Sequence, residues 1–467
     1  AKPKALITEY PLWRSLAQAG RAAFQGLVVM VSEAPAMADL ASAGRWEDKV
    51  ATDFRYVERG RRDTACIVYS SGTGGTPKGC MLTHDSYLTQ AQALGRMYPM
   101  QESDRYLSIL PTNHAIDFMC GMIVPFLFGA AVVHQRTLRP EFVTLTLKRC
   151  RITHMALVPR ILTALQERIR LKLDGLPAWQ RSLLEGLLEL NDLATARGPR
   201  PELSRFLLKP IHDEFGGALR LIFCGGAFVA PKSAEFFYRL GIPVVIGYGL
   251  TEACAVVTLN DLSPFRANTV GKPVDGVEVA LRNQDERGVG EVCVRGPALM
   301  SGYLDAPDLT ERTLIRGWLK TGDLGSFDAA GHLRLLGRAK DMIVTQGGKN
   351  VYPEDVEASF DGLPGCLEHC VYAAQYLWPS GNLSDDRLLI ILRPEGTRLT
   401  PSTVEELRRR NRGLLEHKRV AGYVPWVAEF PRTASLKIKR HELARVLREQ
   451  LDSDAVATLE KRLRNAS

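Results

Sequence analysis

Over the first three hundred residues, short β-branched runs alternate with amphipathic stretches, and that alternation is the strongest constraint on the fold. Ala65-Cys-Ile-Val-Tyr69, Tyr106-Leu-Ser-Ile-Leu110, Ala130-Ala-Val-Val133, His154-Met-Ala-Leu-Val158, Leu219-Arg-Leu-Ile-Phe223 and Pro243-Val-Val-Ile246 have the composition of strands. The segment after Val158, Pro159-Arg-Ile-Leu-Thr-Ala-Leu-Gln-Glu-Arg-Ile, carries apolar residues at helical spacing. Strands separated by helices imply largely parallel sheets in an α/β layered domain, with ligand loops at the carboxyl ends of the strands. From about residue 277 the period changes to two. Val277-Glu-Val-Ala-Leu-Arg282, Gly290-Glu-Val-Cys-Val-Arg295 and Gly331-His-Leu-Arg-Leu-Leu-Gly337 read as an antiparallel, barrel-like part. A compact α+β part follows from near Lys340. It has strands at Cys370-Val-Tyr-Ala-Ala374 and Arg387-Leu-Leu-Ile-Ile-Leu392 and helices near 402–416 and 440–464.

The longest apolar stretch, Phe118 to Val133, is interrupted by Gly121, Pro125 and Gly129. A membrane-spanning helix needs about 20 apolar residues, so a buried helix and strand is the expectation here. The opening residues lack a signal-peptide pattern. Nine cysteines, without a Cys-x-x-Cys pair, point to a reduced, cytoplasmic protein. Cys366, His369 and Cys370 are close in sequence, but no second ligand cluster accompanies them. A net charge of +8 suits anionic ligands, or peripheral contact with an acidic membrane face. The basic run Arg408-Arg409-Arg410-Asn411-Arg412 reads as a solvated helix face, and no nucleic-acid partner is expected.

One loop stands out. Ser70-Ser71-Gly72-Thr73-Gly74-Gly75-Thr76-Pro77-Lys78-Gly79 follows a strand and is dense in glycines and hydroxyls. Such loops bring backbone amides close to phosphate oxygens, and Lys78 adds a mobile positive charge. The common P-loop spacing fails, because Pro77 precedes Lys78 and Gly79 follows it. Taken alone, the segment reads equally as a phosphate cradle or as an ordinary Gly/Ser turn.

Further motifs follow in order over residues 69–440. They are Pro111-Thr-Asn-His114, Gly225-Gly-Ala227, Tyr248-Gly-Leu-Thr-Glu252, Gly290-Glu-Val-Cys-Val-Arg-Gly-Pro297 with Met300-Ser-Gly-Tyr303, and Trp318-Leu-Lys-Thr-Gly-Asp323. Gly337-Arg-Ala-Lys-Asp341, Gly347-Gly-Lys-Asn-Val-Tyr-Pro-Glu354 and Pro431-Arg-Thr-Ala-Ser-Leu-Lys437 complete the set. With the glycine-rich loop, this series resembles the adenylate-forming, AMP-binding superfamily of acyl- and aryl-CoA synthetases, peptide-synthetase adenylation domains and beetle luciferases. The loop departs from the family pattern at Gly74, where relatives have Thr, and Leu436 stands where many relatives have Gly.

The resemblance implies an activity, a site and a domain plan. ATP and Mg2+ would activate a carboxylic acid as its acyl-adenylate, releasing pyrophosphate, and coenzyme A would then take the acyl group. Ser70, Ser71, Gly72, Thr73, Gly74, Gly75, Thr76 and Lys78 would hold the triphosphate. Thr251 would contact the α-phosphate, and Glu252, assisted by Thr73, would hold Mg2+. Asp323 and Arg338 would bind the ribose, with Tyr248 and Gly249 alongside. Gly225, Gly226 and Ala227 would line the adenine and the acyl entrance, His114 would lie near the acyl carboxylate, and Lys437 would follow charge between carboxylate and α-phosphate. A large domain of layered sheets over 1–338 would be joined by a hinge at 339–341, pivoting on Lys340, to a mobile domain over 342–467. Rotation would turn Gly347 and Gly348 toward the coenzyme A side.

The helical, Arg/Leu-rich insertion between Arg168 and Gly216 follows Val158-Pro159-Arg160, as in long-chain acyl-CoA synthetases, so a medium- or long-chain fatty acid is the expected substrate. Two alternatives are transfer to an acyl carrier protein and a nucleotide-binding homologue without turnover. The chain opens on Ala1-Lys-Pro-Lys, and fewer residues precede the loop than in the family, so the opening part of the large domain is expected to be incomplete.

Overall fold

A computed structural model describes residues 5–15, 28–32, 34, 40, 43–45, 48, 57–70, 77–112, 114–196, 198–344, 350–378, 387–432 and 438–459. Backbone contacts divide the chain into two units, Ala1–Asp63 and Thr64–Ser467. In the first unit, strands Ala5–Glu9, Val28–Ser32 and Gly44–Arg45 pair in parallel, and Trp13 is buried with Val29, Val31 and Leu40.

The second unit is built around a seven-stranded sheet. Five of its strands, Ala131–His134 at one edge, then Arg105–Ser108, His154–Leu157, Leu221–Gly225 and Val244–Tyr248, pair in parallel. Thr258–Leu259 and Lys272–Pro273 extend one edge antiparallel. Successive side chains of a strand point to opposite faces, and here both faces are dry. Ile222, Cys224, Val244 and Ile246 join one core cluster, whereas Leu221, Val245 and Ala156 join another. That double burial explains why these strands read as continuous β-branched runs rather than as polar–apolar alternation. The insertion forms the helices Ala178–Thr195, Pro201–Leu207 and Lys209–Glu214 after Pro159–Asp174. The apolar stretch at 118–133 is a π-helical turn Met119–Ile123, a short helix Val124–Leu127 and the strand Ala131–His134. Among the described residues, no helix is long and apolar enough to cross a membrane.

Two expectations are corrected. The run at 65–69 does not enter the parallel sheet. Thr64–Ser70 pairs antiparallel with Lys78–Thr83, so the glycine-rich segment is the loop of a hairpin. The helix expected over 440–464 stops at Gln450. Asp452 turns its side chain back onto the amide of Asp454, and Ala457–Thr458 becomes an edge strand. Short polar side chains that bond nearby amides compete with helical hydrogen bonds in this way.

The barrel-like part is antiparallel, as its period-two pattern requires: Glu278–Arg282, Gly290–Arg295, Trp318–Phe327 and Leu333–Arg338 pair in succession. The last part is a four-stranded sheet of Cys366–Ala373, Leu388–Pro394, Val420–Pro425 and Ala457–Thr458. Arg440–Gln450 contributes Leu443 and Leu447 to the core on one face, and Pro401–Arg412 contributes Leu407 to the core on the other.

Candidate active site

Strand Val244–Tyr248 ends in a turn that returns to Thr258–Leu259. A Cβ on Gly249 would lie 1.7 Å from the carbonyl oxygen of Ala255, so only glycine lets the two arms of this turn touch. The neighbouring parallel strand shows the same economy of space. A Cβ on Gly225 would approach the Gly247 carbonyl oxygen to 2.8 Å. Gly225, Gly226, Tyr248 and Gly249 thereby reach the wall of one cavity.

Leu94, Tyr98, Ile116, Cys120, Phe223 and Val245 supply apolar walls to this cavity. The space between its atoms, including the solvent at its mouth, is ≈ 660 Å³. Tyr98 is fixed there by a 2.5 Å hydrogen bond to the Asn260 carbonyl and by edge contact with Phe223. His114 is the N-cap of helix Ala115–Phe118, two residues before Ile116 on the cavity wall.

At the strand end, the Tyr248 hydroxyl donates to Asp323 Oδ2 at 2.6 Å, and Arg338 Nε pairs with Asp323 Oδ1 at 2.9 Å. Asp323 and Arg338 are register partners on adjacent antiparallel strands, which fixes their side chains on one face. Burial pushes the Tyr248 phenol up, and the Asp323 carboxylate adds to that shift. Burial alone would pull the Arg338 guanidinium down, but Asp323, Tyr248, Asp341 and Glu354 together raise it.

A second convergence involves the hairpin. Ser70 and Lys78 are its last paired residues before the loop. Gly302–Tyr303 adds to its other edge, with Tyr303 opposite Cys80. Tyr303 donates to Glu252 Oε1 at 2.9 Å, and the Lys78 ammonium lies 5.5 Å from the centre of the Tyr303 ring. The Glu252 carbonyl also accepts from the amide of Met300 at 2.8 Å. Tyr303 therefore places the Lys78 ammonium and the Glu252 carboxylate around one ring. Sequence reasoning read Tyr303 only as part of a motif. The Cys80 thiol beside them is pushed up to about 12 by burial and by the charge of Glu252.

Ser71, Gly72, Thr73, Gly74, Gly75, Thr76, Gly347, Gly348 and Lys437 lie outside the described residues. The base of the Lys437 segment is described: Arg432 and Ile438 form an antiparallel bridge, and Lys439 N donates to Pro431 O at 2.8 Å. Arg432 pairs with the buried Glu368, whose other oxygen takes Arg393 at 3.2 Å. Lys340 Nζ contacts His441 Nε2 at 3.2 Å, and the Tyr376 hydroxyl meets His441 Nδ1 at 2.5 Å.

The arrangement has hard oxygen donors for a divalent cation and a paired carboxylate with free lone pairs for sugar hydroxyls. Among the described residues no group of three or more His, Cys, Asp or Glu could hold a metal by itself. A single Glu252 fits Mg2+, which takes one or two carboxylates and fills its other positions with water and phosphate.

A family model described as AMP-binding enzyme matches residues 1–304. A long-chain-fatty-acid–CoA ligase of Gallus gallus is 30% identical over 330 residues, 67% of this chain and 43% of its own length. The chain spans about half the length of the curated relatives it matches. Among solved structures, the Bacillus subtilis o-succinylbenzoate CoA synthetase in complex with its acyl-adenylate intermediate is similar at TM-score 0.65 and 25% identity. The match covers 82% of this chain and 69% of that one. The same synthetase in complex with ATP and magnesium gives TM-score 0.68 at 22% identity, covering 94% and 88%, a likeness of fold.

Proposed function

This chain belongs to the AMP-binding enzyme family, and we propose that it activates a carboxylic acid with ATP and passes the acyl group to coenzyme A. The observation that carries the reading is the Tyr248–Asp323–Arg338 group, joined through Tyr248 to the wall of an apolar cavity. A nucleotide held on one side of that wall and an acyl chain on the other would bring carboxylate and α-phosphate together.

In the first step a carboxylate oxygen attacks the α-phosphorus, the bond to the β-phosphate oxygen breaks, and pyrophosphate leaves. The protein's part is positioning and charge neutralisation. Lys78, Ser70 and the loop 71–76 would hold the triphosphate, Thr251 would donate to the α-phosphate, and Glu252 would hold Mg2+. The metal would neutralise the phosphate oxygens as charge moves onto the leaving pyrophosphate. Tyr248 and Arg338 hold Asp323 so that its remaining lone pairs face the ribose hydroxyls. Gly225, Gly226 and Ala227 flank adenine and the acyl entrance, His114 orients the acyl carboxylate, and Lys437 follows charge from carboxylate to α-phosphate. In the second step the coenzyme A sulfur attacks the acyl carbonyl, its proton is lost and AMP leaves. A turn of 342–467 about Lys340 would exchange Lys437 for Gly347 and Gly348.

A fatty acid is the acid we favour. The cavity walls are apolar, the helical insertion follows Pro159–Asp174, and the Gallus gallus relative is described as a long-chain ligase. The o-succinylbenzoate synthetase takes a different acid, so acid choice lies in the cavity and not in the fold. The test is AMP formation across acyl lengths, with and without coenzyme A. Acid-dependent pyrophosphate release that is strongest for medium or long chains, with thioester appearing only when coenzyme A is present, is the expected result. Silence with every acid overturns the activity.

A further inference from the structure

The turn Ala339–Asp341 follows directly on strand Leu333–Arg338, whose last residue pairs with Asp323. Within that turn, the Lys340 ammonium lies 3.2 Å from Nε2 of His441, which is 101 positions away in the first turn of helix Arg440–Gln450. His441 also follows Lys437 by four positions. One contact therefore joins the turn that leaves the Asp323–Arg338 pair to the helix that begins just past Lys437.

An ammonium only donates, so Nε2 has to present its lone pair, and the single proton of the neutral imidazole sits on Nδ1. Nδ1 then donates to the Tyr376 hydroxyl oxygen at 2.5 Å. Tyr376 stacks on the buried Tyr372, with ring centroids 6.0 Å apart and planes 2° from parallel. The Tyr372 hydroxyl donates to the Arg440 carbonyl at 2.9 Å, and the Arg440 guanidinium is held by the Glu357 carboxylate at 2.5 Å and the Val371 carbonyl at 3.0 Å. The imidazole that meets Lys340 is thus oriented from the core of the last sheet. Asp341 Oδ1, at 3.9 Å from Nε2, is beyond hydrogen-bond reach.

We infer that His441 is a positioning residue: oriented by Tyr376, it latches the Lys340 turn in the arrangement seen here and so sets how the protein divides its time between the two half-reactions. The inference rests on the reading of 339–341 as the hinge between them. A rotation at the Lys340 backbone would swing its ammonium relative to helix Arg440–Gln450, so the contact belongs to one orientation and is lost in the other. A hydrogen bond of this kind shifts such an equilibrium by roughly two- to tenfold.

The experiment compares the wild-type chain with three variants. His441→Gln keeps an oxygen that can accept from Lys340, His441→Phe keeps a ring beside Tyr376 without the acceptor, and Tyr376→Phe removes the group that orients the imidazole. Each is assayed for acid-dependent pyrophosphate release, for thioester formation from supplied acyl-adenylate, and for the rate of limited trypsin cleavage after Lys340, with the products identified by mass. His441→Phe is expected to change the ratio of the two half-reaction rates by about threefold or more and to quicken cleavage after Lys340 by a similar factor. Tyr376→Phe should do both to a smaller extent, and His441→Gln should restore the wild-type values. Two half-reactions that fall by the same factor overturn the inference, as does a Gln variant no better than the Phe variant or cleavage that His441→Phe leaves unchanged. A wild type silent in both half-reactions overturns the proposed activity instead, and the cleavage rates then decide the latch by the same criterion.

Discussion

Tyr248 and Asp323 are joined by a 2.6 Å hydrogen bond across 75 residues of sequence. It ties the end of a strand in the parallel sheet to the long strand of the antiparallel sheet, and so makes one site from two sheets that obey different packing rules. Asp323 is 8% exposed, and Arg338 takes its other oxygen. A carboxylate held on both oxygens cannot rotate away from a ligand, and it still has lone pairs to accept from one.

Tyr248→Phe removes that donor. A hydrogen bond to a charged group contributes about 1.5–3 kcal/mol, so urea denaturation should show a loss of that order. Affinity for AMP, measured by titration calorimetry, should fall about tenfold, which equals about 1.4 kcal/mol. Lower stability with unchanged AMP affinity would remove the ribose role.

Lys437→Ala is expected to lower acid-dependent pyrophosphate release by about a hundredfold or more, the scale of losing one positioned electrostatic group. Conversion of supplied acyl-adenylate to thioester should survive. If both half-reactions fall together, Lys437 supports the domain rather than the first step.

Glu368→Gln leaves Arg393 and Arg432 beside a neutral amide. Breaking a buried pair by removing one partner costs about 3–5 kcal/mol, readable in the urea midpoint. Burial would raise the Glu368 carboxyl, but Arg432 and Arg393 outweigh it and hold it below the usual carboxylate range. Its contribution is therefore complete above that range and is lost as pH falls through the lowered folded-state value. Wild type should lose more stability than Glu368→Gln on acidification through that window.

His154 is buried against Thr153 Oγ1 at 2.8 Å and near Asp104 and Arg220. Burial holds its imidazole well below the ordinary value of 6.5; Asp104 opposes this and Arg220 adds to it. The unfolded chain thus takes up a proton first, and stability is full above the ordinary imidazole value and declines as pH falls below it. Denaturation curves for His154→Gln should lack that slope. An equal slope in wild type and variant would assign it elsewhere.

Gly249→Ala forces a methyl to within 1.7 Å of the Ala255 carbonyl oxygen unless the backbone moves. Forced overpacking typically costs about 1–3 kcal/mol, and the displaced turn carries Thr251 and Glu252. Thermal melting should show the loss, and AMP titration should show weaker binding even at temperatures where the variant is folded. Normal AMP affinity in a destabilised variant would detach this turn from the nucleotide site.

Much of this was legible along the chain because it is local. Period-two runs gave the antiparallel sheet, and β-branched runs spaced by helices gave the parallel one, since each pattern follows from which faces of a strand are buried. The expectation that Asp323, Arg338 and Glu252 are site residues came from the resemblance of their motifs to the adenylate-forming superfamily. What sequence could not decide was pairing. The run at 65–69 looks like the other strands, yet it folds back on Lys78–Thr83, and only the tertiary partner Gly302–Tyr303 settles that edge. Helix 440–450 ends early because Asp452 finds a nearby amide and Ala457–Thr458 finds an open sheet edge, a competition that local propensity does not register. Tyr303 meets Glu252 and Lys78 only after three separate segments pack together. The sequence by itself determined which chemical groups were present and which periods the chain would follow. The tertiary structure decided which groups meet, because contacts at large sequence separation depend on how whole elements bury their faces rather than on any single segment.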